Sequence, residues 1–190
     1  AMFGMSGLEL LSTQKLQLVD ALSPLHAGLI ISAMALSAIP TSILGGATLH
    51  RLGFLPLISG GFLLMATGMT LLLATRGETL ALLVVALVLT GLGAGLAMSV
   101  SSTAIINAAP LHRTGMAAGV EAVSYEFGTL ISIALTGTLV PLLMARELPP
   151  HLAELGTDAL HPPASHATAA SAYNAGYLST IGGLACFALL

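Results

Sequence analysis

Apolar residues run along this chain in long blocks separated by short polar links. Crossing a hydrocarbon core of about 30 Å takes roughly 20 mostly apolar helical residues, within a range of about 17–25. Six blocks of that kind are expected, at residues 1–19, 27–49, 55–74, 80–106, 116–144 and 169–190. The first is the most polar and the fourth the cleanest. Breakers mark the links. Ser23-Pro24 sits in the turn from Asp20 to His26, and His50-Arg51-Leu52-Gly53 joins the second block to the third. Thr75 to Thr79 forms the next link, and Pro110 lies within Asn107 to Gly115. Pro40 is expected to interrupt the second block, since proline removes a backbone donor. A Pro- and His-rich stretch at 146–168 separates the fifth block from the sixth.

Strands are excluded by parity. Leu80 to Leu89 is apolar at odd and even positions alike, whereas a barrel strand alternates lipid-facing and lumen-facing residues. A helix satisfies its own backbone in lipid. The expected fold class is an all-α membrane protein of about six transmembrane helices.

Composition narrows the function classes. Of 190 residues, 56% are hydrophobic and only 7% charged, against about 25% charged in a soluble domain. A soluble enzyme and a disordered chain are both excluded. A net charge of −3 leaves no basic patch for nucleic acid. The one cysteine, Cys186, rules out a disulfide framework and a cysteine zinc cluster. The histidines of the 146–168 stretch lack metal-ligand spacing, so neither metal nor cofactor is expected. Both ends lie inside apolar runs with no initiator Met, and the chain reads as a longer one truncated at both ends. No basic segment precedes the first block, which argues against a signal peptide.

Charged residues inside a spanning block are costly and need a reason. Glu9, Glu121 and Glu126 are the three acids so placed, with Lys15 near the end of the first block. Glu126 falls about 15 Å into its block, near the expected midplane. A desolvated carboxyl there can bind and release a proton, or attract a cation when ionised. The alternative is a protonated acid acting as glue between helices. Glu121 is shallower and about 140° away around the helix, so the two form no tight dyad. Tyr125 follows Glu121 by four residues and can hydrogen-bond it. Glu9, Gln14 and Gln17 make the first block a candidate cavity wall or a hydrogen-bonding face, with Gln14 and Gln17 stacked along one side. Lys15 reads as an interface residue whose ammonium snorkels to water. Gly91/Gly95 and Gly115/Gly119 are GxxxG pairs suited to close helix packing.

Four stretches carry a resemblance. Thr13 to Val19, followed by Leu22-Ser23-Pro24-Leu25-His26-Ala27-Gly28-Leu29, is one. Gly46-Ala47-Thr48-Leu49-His50-Arg51-Leu52-Gly53 is the second. Gly91 to Leu96 with Ala109-Pro110-Leu111-His112-Arg113-Thr114-Gly115 is the third, and Gly119 to Gly128, holding Glu121 and Glu126, is the fourth and most specific. Together they resemble the C-terminal half of a major facilitator superfamily transporter of the fourteen-span drug:proton antiporter family.

The resemblance implies six spans forming one half of that fold. It makes Gly46, Arg51 and Gly53 part of a cytoplasmic loop motif, and puts 146–168 in an extracytoplasmic loop. It also implies proton and cation handling by Glu126 and Glu121. The implied partners are a small organic cation, protons, the lipid bilayer and the missing N-terminal half of the same chain. The implied location is a bacterial inner membrane. In this family an aromatic residue is usual at the place of Lys15, and an acid is common at that of His50. A polytopic scaffold subunit, or a metabolite facilitator without proton coupling, stays open as an alternative.

Overall fold

A computed structural model describes residues 1–75, 79–147 and 166–189. Helix α1 is Met2–Gln14 and passes into a π-helical turn at Lys15–Val19. Helices α2 (Pro24–Leu52), α3 (Phe54–Thr75) and α4 (Leu80–Ala108) follow. A short 3₁₀ turn at Leu111–Arg113 leads into α5 (Thr114–Glu147), and α6 is His166–Leu189. No strand occurs among the described residues. Each helix, α1 counted with its π turn, begins and ends within three residues of an expected block. Four of them, α2 to α5, are long and apolar enough to cross a membrane. The 146–168 stretch lies almost wholly outside the described residues.

The helix ends follow from local chemistry. Ser23 caps α2, its hydroxyl accepting from the His26 amide at 3.4 Å, with Pro24 at the first helical position. Gly53 ends α2 at φ +81, which a residue with a Cβ adopts only under strain. The α1 end is less regular. The Asp20 amide reaches back to the Lys15 carbonyl at 3.1 Å, an i→i+5 bond, and Ala21 takes φ +50. That wide turn breaks the α-helical stacking of Gln14 and Gln17.

Packing runs in a chain of neighbours: α2 on α4, α4 on α3, α3 on α6, α6 on α5, and α5 on α1. Helix α4 is the tightest member because glycines line two of its sides. A Cβ on Gly91 or Gly95 would collide with the Met34 or Ala38 carbonyl of α2. A Cβ on Gly93 would collide with the Gly61 carbonyl of α3. The first GxxxG pair is therefore a packing device. The second, Gly115/Gly119, has nothing within 4 Å of either added Cβ.

Pro40 does not produce the expected interruption: α2 runs unbroken through it. Hydroxyls on either side hold the helix to itself and to α4. Ser37 donates to the Met34 carbonyl at 2.8 Å and to the Val88 carbonyl of α4 at 3.1 Å. Ser99 of α4 donates back to the Ser42 carbonyl at 2.8 Å. Neighbouring helices and Ser/Thr side chains let a spanning helix tolerate proline in this way.

Helix α1 lies in the groove between α5 and α6. Ser6 donates to the Thr129 hydroxyl at 3.3 Å, and Ser132 donates to the Phe3 carbonyl. An added Cβ on Gly7 would meet Ser132 and Leu184. The core beneath is built from Leu8, Leu11, Met69, Leu72, Tyr173 and Tyr177, all fully buried.

Candidate functional site

Glu121 is the acid that the fold draws inward. It is 7% exposed. The Tyr125 hydroxyl donates to its Oε1 at 2.7 Å, from one turn along α5. The Ser102 hydroxyl donates to its Oε2 at 3.2 Å, from α4. The carboxylate thus joins two helices through both oxygens. Each bond is charge-assisted when Glu121 is ionised. When Glu121 is protonated, one oxygen becomes a donor and one of these hydroxyls must turn to accept.

Glu126 lies elsewhere. The buried stripe of α5 is Glu121, Ser132, Thr136, Val140 and Met144. Glu126 is rotated about 140° from Glu121 and is exposed. It has Phe127 and Leu130 as exposed neighbours. Glu126 is thus uncovered among the described residues. Its surroundings are whatever covers that face of α5. Helix α5 has 34 residues, about 51 Å at 1.5 Å per residue. On that scale Glu126 is about 7 Å, and Glu121 about 14 Å, from the helix midpoint, both toward the Thr114 end.

The α1 candidates are split by the π turn. Gln14 is half-buried and accepts from the Tyr173 hydroxyl of α6 at 3.2 Å. Gln17 and Glu9 are exposed. The expected Gln14/Gln17 stripe is corrected accordingly, and the exposed polar face of α1 carries Glu9 and Gln17. Lys15 is also corrected. It does not snorkel: it is 5% exposed, 3.7 Å from the Asp20 carboxylate and 5.9 Å from the Tyr177 ring centroid. Arg51 is exposed at the end of α2, an added Cβ on Gly46 would meet open space, and Gly53 makes the turn into α3.

Sequence reasoning missed Ser102, Tyr173 and Asp20 as partners. The hydroxyl run Ser99 to Thr103 near the end of an apolar block was a usable signal for the first. An apolar groove of about 420 Å³ lies between α5 and α6, lined by Leu135, Thr136, Leu139, Ser179, Thr180 and Gly183. Its hydroxyls donate to carbonyls of their own helices, so its wall offers a ligand only their acceptor lone pairs. Among the described residues no three His, Cys, Asp or Glu side chains gather as metal ligands.

Residues 2–146 match the Major Facilitator Superfamily. The chain belongs to that superfamily. Its relatives within it include the multidrug resistance protein Stp of Mycobacterium tuberculosis, 31% identical over 79% of this chain. The methyl viologen resistance protein SmvA of Salmonella typhimurium is 33% identical over 74% of it. The multidrug efflux pump LfrA of Mycolicibacterium smegmatis is 29% identical over 73%. The chain spans 28% of the length of each of these relatives. Within the superfamily frame, the buried Glu121 and the exposed Glu126 are two acids well inside one helix of an integral membrane protein.

Proposed function

We propose that this chain forms the C-terminal six-helix half of a proton-coupled efflux transporter for lipophilic organic cations. The transporter acts by alternating access in a bacterial inner membrane and is not an enzyme. The observation that carries the reading is Glu121, a carboxylate held between α4 and α5 by Ser102 and Tyr125. In this reading the proton gained or lost by Glu121 changes the strength of its bonds to Ser102 and Tyr125, since hydrogen bonds to a charged group are the stronger ones, and so couples protonation to the α4–α5 contact. Relatives named for multidrug and methyl viologen resistance support efflux and a cationic substrate.

Glu126 and Glu9 are assigned to the substrate side. Both are exposed acids, Glu126 beside the exposed apolar Phe127 and Leu130 and Glu9 on the same helix as the exposed Gln17, α1 being counted with its π turn. In this reading the N-terminal half of the same chain supplies the facing wall, with Tyr125 and Gln17 as further lining residues. The cytoplasmic loop motif of Gly46, Arg51 and Gly53 lies at the inner end of α2, and the 146–168 loop is extracytoplasmic.

The test is efflux of ethidium and methyl viologen from energised cells carrying the full-length parent, its Glu121→Gln form and its Glu126→Gln form at matched membrane abundance. Gradient-driven efflux lost in Glu121→Gln supports the reading. Unchanged efflux in both variants leaves the acids as helix glue, whereas a parent without efflux whose variants change in assembly or amount favours a scaffold. Equilibration of substrate that ignores the proton gradient favours a facilitator.

A further inference from the structure

Tyr173 and Tyr177 stand on successive turns of α6, and both are fully buried. Their hydroxyls fare differently. That of Tyr173 donates to the Gln14 side chain of α1 at 3.2 Å. That of Tyr177 is directed at Ser12, which is also fully buried on α1. The two lack the geometry of a hydrogen bond, and neither has another partner. The difference is reach. Glutamine carries its amide out on two methylenes, whereas a serine hydroxyl sits directly on Cβ. Asn174, on the turn before Tyr177, adds a further buried oxygen without a partner, its Oδ1.

Buried hydroxyls left unbonded are costly, because they give up water without replacing it. Ordered water settles such groups where the site is polar and offers about two to four partners. Ser12 and Tyr177 supply two, each able to donate and to accept. The neighbouring charges exclude other small ligands. The Lys15 ammonium, 5.9 Å from the centroid of the Tyr177 ring, opposes a cation. Asp20, within electrostatic reach of the Tyr177 hydroxyl, opposes an anion. An apolar guest would leave both hydroxyls unbonded. Solvent is near, since Asp20 is 40% exposed.

We propose that the α1–α6 seam is a water-binding site, in which one ordered water bridges the Ser12 and Tyr177 hydroxyls. It accepts from one and donates to the other. The site does not depend on what the protein transports. It sets this contact apart from that of α2 with α4, where main chain rests on main chain. Helix α1 is joined to α6 through a molecule that can exchange.

The test is X-ray radiolysis of the detergent-solubilised full-length parent. Hydroxyl radicals form from bound as well as bulk water and oxidise the side chains they touch, and peptide mass spectrometry reads the added oxygen. Tyr177 is expected to be oxidised several times faster than Met69, which is as deeply buried in the apolar core and intrinsically more reactive. A radical scavenger should suppress labelling of the exposed His26 and leave that of Tyr177, since radicals born on a bound water do not cross bulk solvent. Tyr177 labelled no faster than Met69 overturns the proposal. So does Tyr177 labelling that falls in step with that of His26, the mark of solvent entering through an opened seam. Ser12→Val removes the hydroxyl and fills its place, and should bring Tyr177 down to the level of Met69. Unchanged Tyr177 labelling in that variant overturns the proposal as well. Should the variant not accumulate, the scavenger series on the parent decides alone.

Discussion

The Tyr125 hydroxyl and the Glu121 carboxylate meet at 2.7 Å across one turn of α5. Side chains four apart on a helix are neighbours, so the contact costs little backbone ordering. Ser102 completes it from α4. The result is a membrane carboxylate with a partner on each oxygen, placed where a short polar contact joins two otherwise apolar helices.

Tyr125→Phe keeps the ring and removes the donor. A hydrogen bond to a charged group contributes about 1.5–3 kcal/mol. The variant should lower the thermal stability of the detergent-solubilised full-length protein by that order. Ser102→Ala, losing the longer bond, should cost less, about 1 kcal/mol. An unchanged melting temperature in both variants would show that the carboxylate finds water instead.

Glu121→Gln retains an acceptor and adds donors, so Ser102 and Tyr125 can both stay bonded. Membrane abundance should be unchanged while gradient-driven efflux falls, because the amide cannot take up or release the proton. Glu121→Leu, which abandons both hydroxyls, should reduce abundance as well. Immunoblotting of membranes beside efflux separates the two effects.

Gly91→Ala puts a methyl group against the Met34 carbonyl, an atom of helix backbone that cannot move aside. Forced overpacking of a tight contact costs about 1–3 kcal/mol. The variant should show lower abundance and a lower melting temperature than Gly28→Ala, where an added Cβ meets nothing within 4 Å. Equal behaviour of the two variants would contradict the α2–α4 contact.

Gly53→Ala strains the turn between α2 and α3, where φ is +81. The expected cost is about 1 kcal/mol, visible as a modest loss of thermal stability with efflux per molecule retained. Gly46→Ala, with open space around it, should be close to neutral in stability.

The helices were legible because block length and breakers report directly on bilayer thickness: Pro24, Gly53 and Pro110 mark helix ends. Facing was much less legible. Helix α5 carries apolar residues on every side, so nothing in the sequence distinguished the face of Glu121 from that of Glu126. The polar run at 12–17 was visible, but its α-helical reading gave the wrong partners. The π turn at Lys15–Val19 changes which residues stack, and it leaves no mark in a stretch as ordinary as Lys-Leu-Gln-Leu-Val. Asp20 was read as part of a turn, although a charge five residues after a membrane lysine was a usable clue.

The glycines of α4 have a mechanical consequence. With Gly91 and Gly95 seated on the carbonyls of α2, and Gly93 on that of α3, main chain rests on main chain across three helices. Sliding any of them would drive carbonyl oxygens into Cα atoms, so α2, α3 and α4 form a stiff lamina. Helix α5 meets that lamina more lightly, with Ser102 and Glu121 as a polar clasp. Deformation among these helices is therefore channelled into shear along the clasped edge.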